Sequence, residues 1–351
     1  MLFYRFLVSG ISQKIVSIFS AASRTRNKGK QPRKPKSCSS ARPAPLAAGD
    51  SGGWDFLDWL GPDTSACIFH RLDDPADLAR AAAVSRSWRQ FVIASGFCKS
   101  LCLRICPDLA CFTRAAEVTK SPPSPAAHAS GASHNAERDH QIYSNLCGAL
   151  VSPKPSANCI RDCICASSTD RFPAERMQNT LDPREVVGIR PSYWSSKGQD
   201  DPDVPESLTY RLCSDLCIVD EIRIRPYQVS FYDHQPIFSS KMVRFRIGSN
   251  GDGNHQRVIA DGNYTSPEFP MLQENVLQSF KLPRPVLCIG GVLTIELLGR
   301  MQKAIDDMYY ICICHTEVIG RSFSPSFTVD ISDGATILMY LPGGKDTGCD
   351  Q

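Results

Sequence analysis

The sequence has few of the short motifs from which an enzyme is usually recognised. It contains neither the G-x-x-x-x-G-K-[ST] loop that cradles nucleotide phosphates nor the H-E-x-x-H motif of zinc proteases, and its seven histidines are dispersed. The run Asp200-Asp201-Pro-Asp203 could offer hard oxygen ligands to calcium, but a solvated acidic turn is the simpler interpretation. We therefore predict no catalytic residue, no metal ion and no cofactor.

A hydrophobic run long enough to cross a bilayer is also absent. Residues 1–20 are largely apolar, but Arg5 and Lys14 interrupt them and leave eight uncharged residues in between, whereas a membrane-spanning helix needs about 20. The segment has no clean apolar core or cleavage site of a secretory signal, and its lack of acidic residues leaves an organelle transit peptide as an alternative. We expect no membrane partner.

Acidic residues are scarce at the start of the chain. Residues 1–50 contain ten Lys and Arg against one acid, whereas the other 301 residues carry 29 basic and 35 acidic groups. Seven of the basic residues fall in residues 24–36 among Pro and Gly, a pattern typical of a disordered arm that serves either as a nuclear-localisation signal or as an inert tail. Since the remainder is mildly acidic, we expect no nucleic-acid partner.

The sixteen cysteines do not form the regular framework of a small secreted domain. Cys98, Cys102 and Cys106 recur at every fourth position, which places them on one helical face and favours buried, reduced thiols in an intracellular protein. Two groups have a composition that zinc could use, but they lack the paired knuckles of a structural zinc site, and we interpret both as packed side chains. They are Cys159/Cys163/Cys165 and Cys312/Cys314/His315.

The first folded segment is predicted to be helical. Asp74 followed by Pro75, with Asp77 in the first turn, gives an N-cap, a proline at the first helical position and a favourable charge. An earlier helix that carries Ile68 and Leu72 is expected after Gly61-Pro62-Asp63, and a third apolar repeat covers residues 97–105. A module of about 50 residues is small enough to need a partner to complete its core.

After a Pro/Ser/Ala-rich stretch at residues 121–138, the sequence consists of segments in which apolar and polar residues alternate, and Gly and Pro separate these segments. Period-two segments of this kind indicate an antiparallel β-sandwich, with no alternating helices to suggest a parallel α/β enzyme. The predicted organisation has five parts. These are a disordered basic arm (1–50), a helical module (54–105), a linker with a possible short helix at 141–150 (106–158), the sandwich (159–321) and a partly disordered C-terminal extension (322–351).

The helical module resembles an F-box. The family pattern runs Leu-Pro-x-Asp, then Ile and Leu on one helix, then Leu-x-Arg, Val and a closing Ser-Trp-Arg. Two departures occur, because Gly61 stands where the family usually has Pro and Thr64 replaces a usual Leu. The residues that match are Leu60, Asp63, Ile68, Leu72, Leu78, Arg80, Val84, Ser87, Trp88 and Arg89.

The F-box resemblance implies a Skp-type adaptor as partner and, through it, a cullin. Apolar helix faces form the contact in this family, and such anchors are expected to supply most of the binding energy. The alternative is that the same side chains form the core of the module itself. The adaptor-binding residues implied by the resemblance are Leu60, Pro62, Ile68, Leu72, Leu78, Val84 and Trp88.

The β region carries a second resemblance, to the opening of a discoidin-type, galactose-binding-like sandwich. The segments that carry it are 166–170, 179–181, 193–198, 208–212 and 219–224. This fold would place Trp194 in or beside the core and would bind ligands through loops at one end. The candidate ligand loop comprises Ser195, Ser196, Lys197, Asp200 and Asp201.

Together the two resemblances are those of a plant F-box protein. They imply a multidomain chain, with a small all-α F-box module followed by a mostly antiparallel, jelly-roll-like β-sandwich. The expected function is that of a non-catalytic substrate-recognition subunit of an SCF-type ubiquitin ligase, with an unidentified protein substrate held by the sandwich. The alternatives are an intracellular lectin-like module and a hydrolase that would use Asp200, Asp201, Asp203 or His234.

The basic arm generates a prediction about localisation, which is nuclear, cytoplasmic or both. A fluorescent fusion of the full chain should appear in these compartments, and removal of residues 1–36 should reduce the nuclear fraction because the basic cluster is lost. Microscopy of both fusions, with free fluorescent protein as control, measures this. Import of the full-length fusion into mitochondria or chloroplasts would instead support the transit-peptide alternative.

Overall fold

The computed structural model describes residues 55–118, 131–152, 156–229, 234–248, 264–332 and 335–343. These residues form two compact units, a helical unit of residues 55–105 with 131–150 and a β unit of residues 106–118 with 151–343. The basic arm predicted at residues 1–50 and the end of the C-terminal extension lie outside the described residues.

Five α-helices occur among the described residues. They are α1 (Phe56–Phe69), α2 (Pro75–Ala82), α3 (Arg86–Ala94), α4 (Phe97–Ile105) and α5 (Gly131–Val151). Within the described ranges, no helix is long and apolar enough to cross a membrane.

Side-chain caps determine where the first three helices begin. Asp55 Oδ1 accepts the backbone N–H of Leu57 at 3.0 Å, and Asp74 Oδ1 accepts that of Ala76 at 2.8 Å. Ser85 Oγ accepts the N–H of Trp88 at 3.2 Å. Each cap satisfies one of the N–H groups that a helix leaves unpaired at its start. The start predicted from Asp74 is therefore confirmed.

A sharp break divides α1 at Gly61. The Gly61 backbone has φ 72° and ψ 166°, a region almost restricted to glycine, and the helix resumes at Pro62. Proline suits this position because the first N–H of a helical segment has no intrahelical partner. The departure from the family pattern at Gly61 thus has a physical reason, since no residue with a side chain adopts this turn without strain.

Aromatic side chains form the centre of the helical unit. The Phe69 ring stacks on Phe97 with centroids 5.3 Å apart and meets Trp88 and Phe91 edge-on at 5.6 Å and 5.4 Å. Edge-to-face and offset pairs of this kind add to the stabilisation that burial alone provides. The unit therefore has a core of its own.

Helix α5 corrects the second half of the linker predicted at residues 121–138, where a helix was expected only from 141; residues 119–130 lie outside the described residues. The helix begins at Gly131 and buries a stripe that includes Ile142 and Leu146. It packs on α4, where Cys102 Sγ lies 3.2 Å from Cys147 Sγ. The Ser/Ala/His composition hid this helix, because its apolar period starts only in the second half. The small module was expected to need a partner to complete its core. Helix α5, which belongs to the same chain, completes part of that core.

The β unit contains eighteen strands among the described residues. They are β1 (Arg114–Glu117), β2 (Ala157–Asn158), β3 (Ile160–Ala166), β4 (Val186–Val187), β5 (Arg190–Pro191), β6 (Trp194–Ser195), β7 (Glu206–Leu212), β8 (Leu216–Pro226), β9 (Ser240–Ile247), β10 (Tyr264–Thr265), β11 (Phe269–Pro270), β12 (Gln278–Ile289), β13 (Val292–Arg300), β14 (Gln302–Lys303), β15 (Tyr309–Tyr310), β16 (Cys312–Ser322), β17 (Phe327–Ser332) and β18 (Ala335–Tyr340). Short 3-10 helices cover Pro107–Cys111 and Met177–Leu181.

Two antiparallel sheets form the predicted β-sandwich. One has the strand order β10-β9-β13-β7-β3 with β11 also on β9, and the other has β12-β8-β16-β2 with β6 also on β16. The alternation seen in the sequence places one face of each long strand inside, because successive side chains point to opposite faces. The main core includes Leu208, Tyr210, Ile222, Ile224, Val243, Phe245, Leu293, Ile295 and the fully buried Trp194.

A third sheet corrects two predicted boundaries. Strand β18 pairs with β17 as a hairpin and with β1 in parallel, so that Arg114 lies opposite Ile337. Residues predicted as linker (106–158) and as partly disordered extension (322–351) therefore contribute strands to one sheet. The pairing joins segments more than 200 residues apart, and a four-residue strand such as β1 carries no local pattern from which it could be predicted.

The break at Gly61 generates a prediction about stability. Gly61→Ala should lower the unfolding free energy of the helical unit by about 1–3 kcal/mol, because alanine would be strained at this φ and ψ. The matched control is Gly148→Ala on the exposed face of α5, where an added Cβ meets nothing within 4 Å. That change should stabilise the helix by about 0.5–1 kcal/mol. Hydrogen–deuterium exchange of α1–α5 measures the stability of the helical unit in both variants. Equal changes in stability for the two substitutions would contradict the prediction that alanine is strained at position 61.

Candidate functional site

The structure separates the predicted adaptor-binding residues into two groups. Ile68, Leu72, Leu78 and Trp88 are between 2% and 8% exposed and belong to the core of the helical unit. Leu60 and Val84 are half-buried, and Pro62 is exposed. The inference that the module is too small to bury these side chains is corrected for the four buried residues, because α5, which lies outside the predicted module, adds to its core. Adaptor contact by this set of residues stays a prediction.

Trp59 is the apolar side chain that the sequence pattern did not identify. It lies on the first segment of α1, beside the break at Gly61, and 70% of its surface is exposed. A largely exposed indole is a candidate contact residue, since Trp is enriched among the residues that dominate binding energy at interfaces. The available signal was the repeated aromatic spacing of the segment D-F-L-D-W-L, which precedes the matched family pattern.

Trp88 holds this segment in place. Its indole Nε1 donates to Asp55 Oδ1 at 2.9 Å, the same oxygen that caps α1. The closing tryptophan of the family pattern thus ties α3 to the start of α1. In this way a buried residue positions the exposed Trp59 without forming part of the surface itself.

A cavity of about 350 Å³ opens in the β unit. It lies at one end of the sandwich, where β8 and β13 end and where β7, β9 and β16 begin, because Arg300 pairs with Ser240 and Ile313 with Pro226. The side chains around it combine aromatic rings with carboxylates. They are Asp170, Arg171, Glu175, Tyr193, Ser195, Val229, Phe238, Ala304, Ile305, Asp306, Tyr310 and Cys312.

A small apolar cluster, separate from the main core, underlies the cavity. It contains Tyr227, Val229, Phe238 and Cys312, with Tyr193 packed against it. The rings of Tyr193 and Tyr227 stack nearly parallel with centroids 3.9 Å apart. One face of Tyr193 is therefore covered, and burial raises the pKa of Tyr227 to about 12.

Two tyrosine–carboxylate pairs line the cavity. Tyr193 Oη donates to Glu175 Oε1 at 2.8 Å, and Tyr310 Oη donates to Asp306 Oδ2 at 2.7 Å. Burial, followed by the bond to Glu175, raises the pKa of Tyr193, and the bond to Asp306 raises that of Tyr310. The Tyr310 hydroxyl in turn lowers the pKa of Asp306. Both tyrosines are thus neutral donors, and Asp306 is ionised at neutral pH.

A buried ion pair holds the loops that surround the cavity. Arg300 Nη2 lies 2.5 Å from Glu206 Oε1, with the two side chains 0% and 3% exposed. Glu206 also accepts the hydroxyl of Ser168 at 2.8 Å. The remaining Arg300 N–H groups donate to four oxygens of the loops: Val204 O at 3.1 Å, Ser196 Oγ at 3.0 Å, Lys197 O at 2.9 Å and Tyr309 O at 2.9 Å.

The predicted ligand loop only partly coincides with the cavity. Ser195 lines it, whereas Ser196 is fully buried and accepts from Arg300. The Lys197 backbone joins the same network, so that two of the five predicted residues hold the loop rather than face the cavity. Asp200 and Asp201 are exposed and do not line the cavity.

The groups considered for metal or hydrolytic chemistry do not converge. Cys312 Sγ contacts Ser195 Oγ at 3.4 Å, whereas His315 Nδ1 lies 2.9 Å from the Thr180 carbonyl. Across the described residues, no group of three or more His, Cys, Asp and Glu is arranged to hold a metal ion. Asp201 accepts the N–H of Asp203 at 2.9 Å in a local turn, and His234 is exposed.

Sequence reasoning missed most of the cavity. Asp170 and Tyr193 lie within the segments that carried the second resemblance, but nothing in their spacing connects them with Phe238, Asp306 or Tyr310. The tyrosines at 309–310 belong to an alternating run that predicts only a strand. The signal that could have been used is the coincidence of aromatic and acidic residues in loops predicted for the same end of the sandwich.

Comparison with known proteins shows the family. The F-box-like family profile matches residues 62–104. The Arabidopsis thaliana protein named F-box protein At4g00755 is 43% identical over 312 residues, which cover 82% of each chain. The chain belongs to the F-box protein family. Members of this family are in general non-catalytic adaptors, and their F-box is the segment that contacts a Skp-type adaptor.

Several solved structures resemble the β unit of this F-box protein at low identity. The family 32 carbohydrate-binding module of Clostridium perfringens NanJ, in complex with galactose, is 14% identical, and the match covers 44% of this chain and 90% of that one with a TM-score of 0.32. A putative chitobiase fragment of Bacteroides thetaiotaomicron is 8% identical, with coverages of 49% and 96% and a TM-score of 0.36. A fucolectin from striped bass is 14% identical, with coverages of 48% and 54% and a TM-score of 0.31.

The buried ion pair of this F-box protein generates a prediction about stability. Glu206→Gln should lower the unfolding free energy of the β unit by about 3–5 kcal/mol, because Arg300 would keep its charge in the interior without a counter-ion. The matched control is Arg246→Gln. Arg246 is 54% exposed and lies 3.3 Å from Glu296, so its loss should change stability by about 1 kcal/mol or less.

Scanning calorimetry of the full chain measures the unfolding temperature of both variants. The transition of the β unit should shift to lower temperature for Glu206→Gln and stay nearly unchanged for Arg246→Gln. Equal shifts for Glu206→Gln and Arg246→Gln would contradict the special role of the buried pair.

Proposed function

We propose that this F-box protein is the substrate-recognition subunit of an SCF-type ubiquitin ligase. The helical unit binds a Skp-type adaptor and through it a cullin, while the β-sandwich holds the protein to be ubiquitinated. The observation that carries the proposal is the combination, in one chain of the F-box family, of an exposed aromatic anchor at Trp59 with a separate unit that contains a cavity.

The chemistry required of the chain itself is binding. A receptor of this kind acts by proximity, because one chain that contacts both adaptor and target raises the effective concentration of the target near the ligase. The ubiquitin-transfer step then takes place on other subunits. The proposed role therefore needs no catalytic residue in the cavity, only shape and charge that suit the target.

The adaptor contact is proposed to centre on the start of α1. Trp59 offers a large exposed indole, Pro62 is exposed next to it, and Leu60 is half-buried between them. A protein interface gains most of its binding energy from a few such anchors, while the surrounding residues exclude water. The buried members of the family pattern would act indirectly, since they determine where this segment lies.

The proposal predicts a selective effect of one substitution on adaptor binding. Trp59→Ala in the full chain should weaken the complex with a purified Skp-type adaptor by about thirtyfold or more, the loss expected when a central aromatic anchor of about 2 kcal/mol is removed. Ile189→Ala is the matched control, because Ile189 is 96% exposed but lies in the β unit. Its affinity should equal that of the wild type. Biolayer interferometry measures all three proteins.

Circular dichroism checks that both variants fold like the wild type. Failure of the wild type to bind any Skp-type adaptor would overturn the ligase proposal. Binding that tolerates Trp59→Ala would leave the family assignment intact but would overturn the position of the contact.

A further inference from the structure

The cavity at the end of the sandwich carries an excess of negative charge. Three carboxylates line it, from Asp170, Glu175 and Asp306, against one cation, Arg171. Arg171 offsets only one of them, because its Nε lies 3.6 Å from Asp170 Oδ2 in an exposed ion pair, with 79% of the Arg171 side chain in solvent. At neutral pH the lining therefore has a formal charge of −2, which favours a cationic ligand.

The hydroxyl groups of the cavity are already used as donors. Those of Tyr193 and Tyr310 donate to Glu175 and Asp306, and Ser195 Oγ donates to the carbonyl of Ser196 at 3.1 Å. What remains for a ligand is mainly acceptor capacity, since a carboxylate has two oxygens and about four lone-pair positions. An incoming group should therefore bring hydrogen-bond donors of its own.

Aromatic rings supply the rest of the cavity wall. Tyr193, Phe238 and Tyr310 surround the carboxylates, with Val229 and Ala304 beside them. Rings close to a cation stabilise it through the negative potential of their faces, and they also pack well against an aliphatic stem. The volume of about 350 Å³ is at the lower end of the range for small ligand sites, roughly 300–1,000 Å³.

Together these features select one class of ligand. We propose that the cavity receives a basic side chain, arginine or lysine, of the target protein. The carboxylates accept hydrogen bonds from the guanidinium or ammonium group, and the rings enclose its methylene stem. This inference rests on the proposed function, since it names the feature of the target that the sandwich recognises. A neutral sugar could donate its hydroxyls to the carboxylates but would bring no charge to offset theirs, and an anion would be repelled.

The test uses the full-length protein and small probes in place of the unknown target. Acetyl-arginine methylamide and acetyl-lysine methylamide are titrated by ligand-observed nuclear magnetic resonance, beside acetyl-citrulline methylamide, which has the shape of arginine without its charge. D-Galactose is the fourth probe. We expect at least one cationic probe to bind about fivefold or more tightly than citrulline, consistent with a charge-assisted contact, and to lose affinity as salt is added.

Variants of the cavity identify the site of binding. The double substitution Glu175→Gln/Asp306→Asn keeps acceptors for both tyrosines and removes two charges, and it should weaken the cationic probe about fivefold or more. Asp203→Asn is the matched control, because Asp203 is exposed and does not line the cavity. It should bind as the wild type does. Circular dichroism verifies that both variants are folded.

Each outcome bears on the proposal. Equal binding of arginine, lysine and citrulline, or binding unaffected by the double substitution, would overturn it. Saturable binding of galactose without binding of the cations would overturn it in favour of a glycan site. Since adaptor affinity is measured separately, loss of adaptor binding with arginine binding retained would contradict the ligase proposal alone.

Discussion

The contact on which the β unit most depends is the ion pair between Arg300 and Glu206, which is withdrawn almost completely from solvent. Two charges in the interior are tolerated only when every donor and acceptor is satisfied, and here the surrounding loops supply the partners. If the loops at this end of the sandwich moved apart, a charge would be exposed to solvent or left buried without its partners. A cavity built on such loops is preformed, which lowers the entropic cost of binding a ligand there.

In the helical unit too, buried residues hold in place a segment whose exposed side chains are free to contact a partner. Trp88 is buried and hydrogen-bonds Asp55, whereas Trp59, on the segment that Asp55 caps, is exposed. The buried residues of the family pattern therefore define the fold of the module, and we propose that the exposed start of α1 contacts the partner. A motif can therefore be recognised from its order and spacing, whereas its contact residues also depend on which of its side chains the fold leaves exposed.

Local periodicity predicted what local forces determine. The cap at Asp74 and the alternating strands follow from interactions within a few residues, or from a single face that must be covered, whereas the burial of Trp194 was expected only from the resemblance to a known sandwich. The first half of helix α5 has no apolar period of its own, and the pairing of β1 with β18 joins segments far apart in the chain, so no local pattern encodes either. The cavity belongs to the second class, because it brings residues 170–175 together with residues 304–312.

We propose that one chain connects a target to a cullin through the surface around Trp59. The most direct measurement is quantitative mass spectrometry of proteins that co-purify with the tagged full chain from cells in which the proteasome is inhibited, for the wild type and for Trp59→Ala. The account predicts that the wild type retains a cullin together with ubiquitinated target proteins, and that Trp59→Ala retains the same targets without the cullin and with less ubiquitin. Absence of a cullin from the wild type, or ubiquitination of the targets that is unchanged by Trp59→Ala, would contradict it.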